Sequence, residues 1–271
     1  MAQAPAENFP VASRLLPARV RADLLGVYGF ARLVDNAGDE APGDRLALLD
    51  ELEEDLERAY APAETPAHPL IAALRPMIAA RSLPIEPFRR LIEANRRDQL
   101  IHRYRSFDEL VGYCALSANP VGELVLGIFD AVTPERIALS DRICTGLQLV
   151  EHWQDVAEDY RRGRVYLPAE DLERFGVTEE ELAASAASSA FKGLMEFEVA
   201  RARRLLDEGA PLIRTLAGRA AFAVAAFVAG GRSALGAIER AEFDVLASRP
   251  RPGSALRAYQ LLATLLRREG R

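Results

Sequence analysis

Gln148-Leu149-Val150-Glu151-His152-Trp153-Gln154-Asp155-Val156-Ala157-Glu158-Asp159 closes a long stretch whose apolar residues recur at helical spacing, without the alternation of a strand. Thr133 is a predicted N-cap and Pro134 suits a first helical turn, so one long helix is expected from Pro134 to about Tyr160. Near its end, Asp155 and Asp159 stand four residues apart. Residues at that spacing share one helix face, with Cβ atoms about 6 Å apart. Two carboxylates so placed repel each other unless a cation bridges them. Hard oxygen donors of this kind suit Mg²⁺, which keeps several waters and shares itself with a substrate phosphate.

Working outward, helical periodicity recurs from end to end and strand signals are nearly absent. Arg19 to Asp39 carries Leu24, Leu25, Val27, Tyr28, Ala31 and Val34 at helical spacing. Arg45 to Tyr60 reads as an amphipathic helix with Leu46, Leu49, Leu52 and Leu56 opposite an acidic, solvated face. Helices are further expected over Pro69 to Ser82, with Pro76 marking a kink or a break, Glu86 to Ile101, and Phe107 to Leu116. Another begins near Pro120. Beyond the long helix, Gly163 to Pro168 is a loop and Pro168 to Phe175 about one turn. Ser188 to Glu208, Gly218 to Asp244 and Ser254 to Arg268 complete the set. No repeat of 20–50 residues and no low-complexity linker interrupts the chain, so the expectation is a single all-α domain over residues 1–271.

The composition agrees. A hydrophobic fraction of 49% and a charged fraction of 27% over 271 residues suit a globular protein with a sizeable core. Net charge is −6, so no nucleic-acid partner is expected. Lys192 is the sole lysine among the basic residues. Cys114 and Cys144 give neither zinc spacing nor a disulfide framework and read as reduced, buried residues. The histidines (His68, His102 and His152) are scattered, so zinc is not expected. No signal peptide is visible. The strongest apolar stretch, Ala220 to Gly231 between Arg219 and Arg232, falls short of the roughly 20 residues that span a bilayer. The expected location is the cytoplasm, with peripheral membrane contact open to a protein that handles a greasy substrate.

A second Asp-x-x-x-Asp lies in Arg32-Leu33-Val34-Asp35-Asn36-Ala37-Gly38-Asp39-Glu40. Spacing alone is weak: with 40 acidic residues, chance places on the order of six such pairs. Asp50/Glu54, Glu51/Asp55 and Glu53/Glu57 are read as a solvated face. Asp35/Asp39 and Asp155/Asp159 differ in setting, because each ends a long, largely apolar helix. Inward charge there is costly unless a ligand compensates it. Arg32 precedes the first pair and Arg164 follows the second. Trp153 reads as packing, Asp98 either as part of a site or as a surface acid, His152 as able to point away, and Glu40 as a surface residue.

These segments, together with Glu7-Asn8-Phe9-Pro10-Val11-Ala12-Ser13, Tyr28-Gly29-Phe30-Ala31-Arg32, Tyr113-Cys114-Ala115-Leu116-Ser117-Ala118-Asn119-Pro120-Val121-Gly122 and Gly163-Arg164-Val165-Tyr166-Leu167-Pro168, resemble the squalene/phytoene synthase family over nearly the whole chain. The first and the Ser117-to-Gly122 segment are most similar to its hydroxysqualene synthase branch. The resemblance implies the helical isoprenoid synthase fold around a central cavity. It implies Mg²⁺ held on a prenyl diphosphate by Asp35, Asp39, Asp155 and Asp159. Ser13-Arg14 and Arg32 would bind diphosphate, Tyr113 would line the cavity, Gln148 would stand beside the second pair, and Arg164 would complete the cationic side. Three positions depart from the family pattern: Asn36 replaces a second acid, Glu151 a common Asn, and Gln154 a common Arg. Glu151, one turn before Asp155, is a candidate third metal ligand.

The activity implied is conversion of presqualene diphosphate and water to hydroxysqualene and diphosphate. Two alternatives stand: head-to-head condensation of two farnesyl diphosphates, and a non-catalytic helical partner that keeps the fold. Phe222, Phe227 and the small residues from Ala220 to Gly231 either wall a hydrocarbon tunnel or simply pack. A partner enzyme that makes presqualene diphosphate is a plausible donor of substrate.

Overall fold

The computed structural model describes residues 16–269. In chain order its helices are α1 (Ala18–Asp39), α2 (Arg45–Tyr60), α3 (Pro69–Arg81), α4 (Glu86–Asp98), α5 (Phe107–Ser117), α6 (Asn119–Ile128) and α7 (Pro134–Arg161). There follow α8 (Ala169–Phe175), α9 (Ser189–Gly209), α10 (Leu212–Thr215), α11 (Gly218–Arg240) and α12 (Ser254–Glu269). A 3₁₀ turn covers Glu179–Ala183. Among the described residues there is no strand beyond one isolated bridge between Arg103 and Val165. The all-helical expectation holds.

Local chemistry sets the boundaries. Asp44 accepts from the Ala47 N–H at 3.0 Å and Ser188 from that of Phe191 at 3.2 Å. Thr133 accepts from Arg136 N–H at 3.3 Å, capping α7 as its sequence indicates. Helix α3 continues through Pro76 without a break. Two expectations need correction. The fourth helix ends at Asp98, short of Ile101. The eleventh stops at Arg240, short of Asp244, because Glu242 and Phe243 turn left-handed at φ 52° and 61°, which no α-helix continues through.

Contacts divide the chain into two compact units. The first comprises described residues 16–101 and 115–137. In it α1 packs on α2, α3, α4 and α6, and α2 also meets α3 and α4. Phe30 meets Phe88 edge-on at 5.0 Å, among buried Leu49, Leu56, Ile71 and Ile92. Asp55 does not belong to the solvated acidic face: it is 4% exposed and accepts the N–H groups of Ala67 and His68 at 2.6 and 2.8 Å. Burial alone would raise its pKa, but those bonds and Arg58 outweigh burial and hold it below the ordinary carboxylate value.

The second unit comprises described residues 102–114 and 138–269. Here α11 contacts α9, α10 and α12, and α8 contacts α9. Close approach is built on glycine. A Cβ at Gly209 would sit 2.7 Å from the Leu139 carbonyl oxygen, and one at Gly231 2.6 Å from Leu147. The small residues of α11 therefore serve packing, while Phe222 and Phe227 are half-buried. Gly218–Arg240 is long and apolar enough to cross a membrane, yet 83% of its most apolar window is buried within the protein. Phe107–Ile128 passes the same test with 61% buried. Cys114 is free and buried as expected, whereas Cys144 is free and only half-buried.

Candidate active site

Helix α7 carries the second acidic pair on a stripe. Gln148, His152, Asp155 and Asp159 follow one another at spacings of four, three and four, so all lie on one face. Trp153 and Gln154 turn the other way. The Trp153 indole is fully buried and donates to the Glu198 carbonyl at 3.2 Å. Gln154 is 2% exposed and donates to the Pro250 carbonyl. Both anchor the helix so that the acidic stripe keeps its orientation.

The side chains of Asp155 and Asp159 are 21% and 18% exposed. Burial pushes Asp155 up to about 6, against the opposing pull of Arg249. Burial and the charge of Asp155 push Asp159 up to about 7, with Arg162 and Arg164 opposing. Arg249 Nε reaches Asp155 Oδ1 at 2.7 Å, and Arg251 also acts on that carboxylate. Sequence reading passes over this Arg249-Pro250-Arg251 segment. It lies almost a hundred residues from the aspartates, and only folding shows that it brings positive charge to a helix whose position 154 holds Gln.

An aromatic cluster abuts the stripe. The His152 ring stacks on Tyr166 at 3.7 Å and 16°, Tyr113 is 5.8 Å from Tyr166 and 6.3 Å from His152, and Tyr104 stacks on Tyr166 at 5.8 Å. Tyr113, chosen from sequence as a cavity residue, is thus placed with His152. His152 does not point away: it shares the face of the aspartates. Burial, with Arg164 adding to it, pushes its imidazole down to about 3, so the 4.0 Å approach of Nδ1 to Asp159 is not an ion pair at neutral pH. Gln148 Nε2 stands 3.2 Å from His152 Nε2. The Arg164 N–H donates to the Asp159 carbonyl at 2.9 Å, which folds the loop back and sets Arg164 beside the pair.

In the other unit, the first pair sits at the end of α1, with Asp35 half-buried and Asp39 exposed. Asn95 of α4 donates to Asp35 at 3.3 Å and Gln99 to the Gly38 carbonyl at 3.0 Å. A Cβ at Gly38 would fall 2.5 Å from Asn95 Oδ1, so glycine admits this contact. Arg32 donates to Asn36 at 3.3 Å, the position where an acid is replaced. Asp98 is 7% exposed, not a surface acid, and Glu40 is exposed. Ser13 and Arg14, with the segment Glu7 to Ser13, lie outside the described residues.

The donor set fits a hard divalent cation that shares its coordination with a ligand. Asp155 and Asp159 are oxygen donors, one turn apart and held above their ordinary pKa, so a cation there relieves a real electrostatic cost. Glu151 is half-buried one turn earlier. Among the described residues no three His, Cys, Asp or Glu side chains converge as a metal-binding group.

The solved structures of squalene synthase type that match this chain place its all-helical fold in the terpenoid synthase class. A crystal structure of squalene synthase HpnC from Alicyclobacillus acidocaldarius matches with a TM-score of 0.82 and 44% identity, over 89% of this chain and 90% of that one. The hydroxysqualene synthase of Rhodopseudomonas palustris is 37% identical over 210 residues, 76% of this chain and 70% of that protein. The 15-cis-phytoene synthase of Synechococcus elongatus is 32% identical over 259 residues, 90% of this chain and 83% of that protein. The profile of the squalene/phytoene synthase family matches residues 2–257, and the chain belongs to that family. It is an enzyme of squalene/phytoene synthase type, in isoprenoid synthesis.

Proposed function

We propose that this enzyme is a Mg²⁺-dependent hydroxysqualene synthase that ionises presqualene diphosphate and captures the cation with water. The observation that carries the reading is the α7 stripe, where Asp155 and Asp159 stand half-buried with raised pKa values beside Arg164 and Arg249. Similarity to hydroxysqualene synthases at 34–37% identity supports the choice of branch.

In this reading each aspartate pair, Asp35 with Asp39 and Asp155 with Asp159, is a site for Mg²⁺, with Glu151 available beside the second pair. The metal supplies positive charge to the departing diphosphate. Arg32, Arg164 and Arg249 add fixed positive charge where negative charge grows, which lowers the barrier without reorganisation. Arg249 would exchange Asp155 for a diphosphate oxygen. The ring faces of Tyr104, Tyr113 and Tyr166 offer electron density to a hydrocarbon cation and no nucleophile stronger than a phenol.

The deciding assay supplies purified protein and Mg²⁺ with presqualene diphosphate, then with farnesyl diphosphate, each with and without NADPH. Hydroxysqualene from presqualene diphosphate without NADPH is the expected product, and Asp155→Ala should lower its rate at least a hundredfold. Turnover of farnesyl diphosphate alone would place the enzyme among condensing synthases, a reading favoured by its 32% identity to a phytoene synthase over 90% of the chain. Inertness toward both substrates would overturn this choice of substrate. Peripheral membrane binding in the cytoplasm, and transfer of presqualene diphosphate from the enzyme that makes it, belong to the same proposal.

A further inference from the structure

The stripe holds one group that the mechanism above does not use. His152 is 7% exposed and stacks flat against Tyr166, which fixes the plane of its ring. Gln148 Nε2 lies 3.2 Å from His152 Nε2. An amide NH₂ only donates, so Nε2 is the acceptor and the neutral ring carries its proton on Nδ1. Nδ1 is 4.0 Å from Asp159 Oδ2, too far for a hydrogen bond and within reach of one bridging water. Both residues, with Arg164 and Tyr166, line one small, partly open cavity whose apolar side is formed by Val156, Val165, Leu167 and Leu182. The space open to a water's centre is about 10 Å³, about the minimum that holds one molecule, and its polar partners are those that retain it.

We propose that His152 and Asp159 hold the single water that captures the carbocation, making His152 the residue that decides alcohol against hydrocarbon. The inference rests on the water-capture reading above. A water that accepts from Nδ1–H and donates to Asp159 keeps its remaining lone pair for attack. The step balances as follows. The C–O bond of the diphosphate ester breaks and its electron pair leaves on diphosphate. The rearranged C₃₀ cation takes a lone pair from the water, forming the new C–O bond. The resulting oxonium loses one proton to the released diphosphate. Without the held water, the cation loses a proton to give a polyene or meets a stray water at another carbon.

The test compares wild type with His152→Phe, His152→Asn and His152→Gln on presqualene diphosphate with Mg²⁺. It reads diphosphate release and the hydroxysqualene share of the products separately. Phe keeps the stack on Tyr166 and removes the donor. Asn places its amide near Nδ1, and Gln places it near Nε2. The expected result for Phe and Gln is diphosphate release within about fivefold of wild type, with the hydroxysqualene share down at least tenfold. Asn restores that share to within about twofold. If His152→Phe does not fold, the Asn and Gln variants carry the comparison. An unchanged hydroxysqualene share in Gln or Phe, or equal shares in Asn and Gln, overturns this inference alone. A wild type that forms no hydroxysqualene overturns the proposed function and this inference together.

Discussion

At the scale of single residues, Asp159 and Asp55 show how one residue type takes opposite roles. Asp159 is held at about 7 by burial and by Asp155. Its folded pKa lies above the unfolded value, so folding favours the protonated form. Stability from this source is present at low pH and is lost as pH rises through about 6 to 7, the range set by Asp155 and Asp159. The metal-free protein is therefore expected to be less stable at pH 8 than at pH 5.5. Asp159→Asn should regain stability at pH 8 on the order of 1 kcal/mol, checked by urea unfolding in EDTA. Loss of stability in that variant at pH 8 would contradict the account. Asp55 has the opposite sign, since two backbone N–H groups favour its ionised form. Asp55→Ala should cost about 2–3 kcal/mol by leaving both donors unpaired, read as a lower urea midpoint. Both residues were visible as members of i,i+4 acidic pairs. Which pair is structural was not, because the partners Ala67 and His68 follow from the path of a loop.

At the scale of elements, α7 was legible almost to the residue: Thr133 caps it, Pro134 begins it and its apolar period runs unbroken. Where the eleventh helix stops was not legible, since Ala241-Glu242-Phe243 carries no breaker, yet Glu242 and Phe243 turn left-handed. Glycines make the same point with opposite signs. A Cβ added at Gly209 would meet the backbone of α7 at 2.7 and 2.9 Å, and backbone cannot yield, so Gly209→Ala should cost about 1–3 kcal/mol. Gly112, inside α5, has open space around it, and Gly112→Ala should gain about 0.5–1 kcal/mol through lower unfolded-state entropy. Thermal melts of the two variants check both signs, and a destabilised Gly112→Ala would show that α5 is packed more tightly than described.

At the scale of the whole molecule, a bound cation should couple to folding. If Mg²⁺ binds the deprotonated pairs, it raises the melting temperature at pH 8 and does so less at pH 5.5, where Asp155 and Asp159 retain protons. Scanning fluorimetry across a Mg²⁺ series measures this, and equal shifts at both pH values would place the metal elsewhere. The sequence by itself determined the helical class and both aspartate pairs, because helical period, caps and i,i+4 spacing are local properties of a chain. It also supported the family, through motifs whose order survives along the chain. Only the tertiary structure decided that His152 stacks on Tyr166, that Arg249 pairs with Asp155, and that Gln154 anchors to Pro250. The physical reason is range: these contacts join residues up to about a hundred positions apart, and burial, which sets their charge states, exists only once the chain has packed.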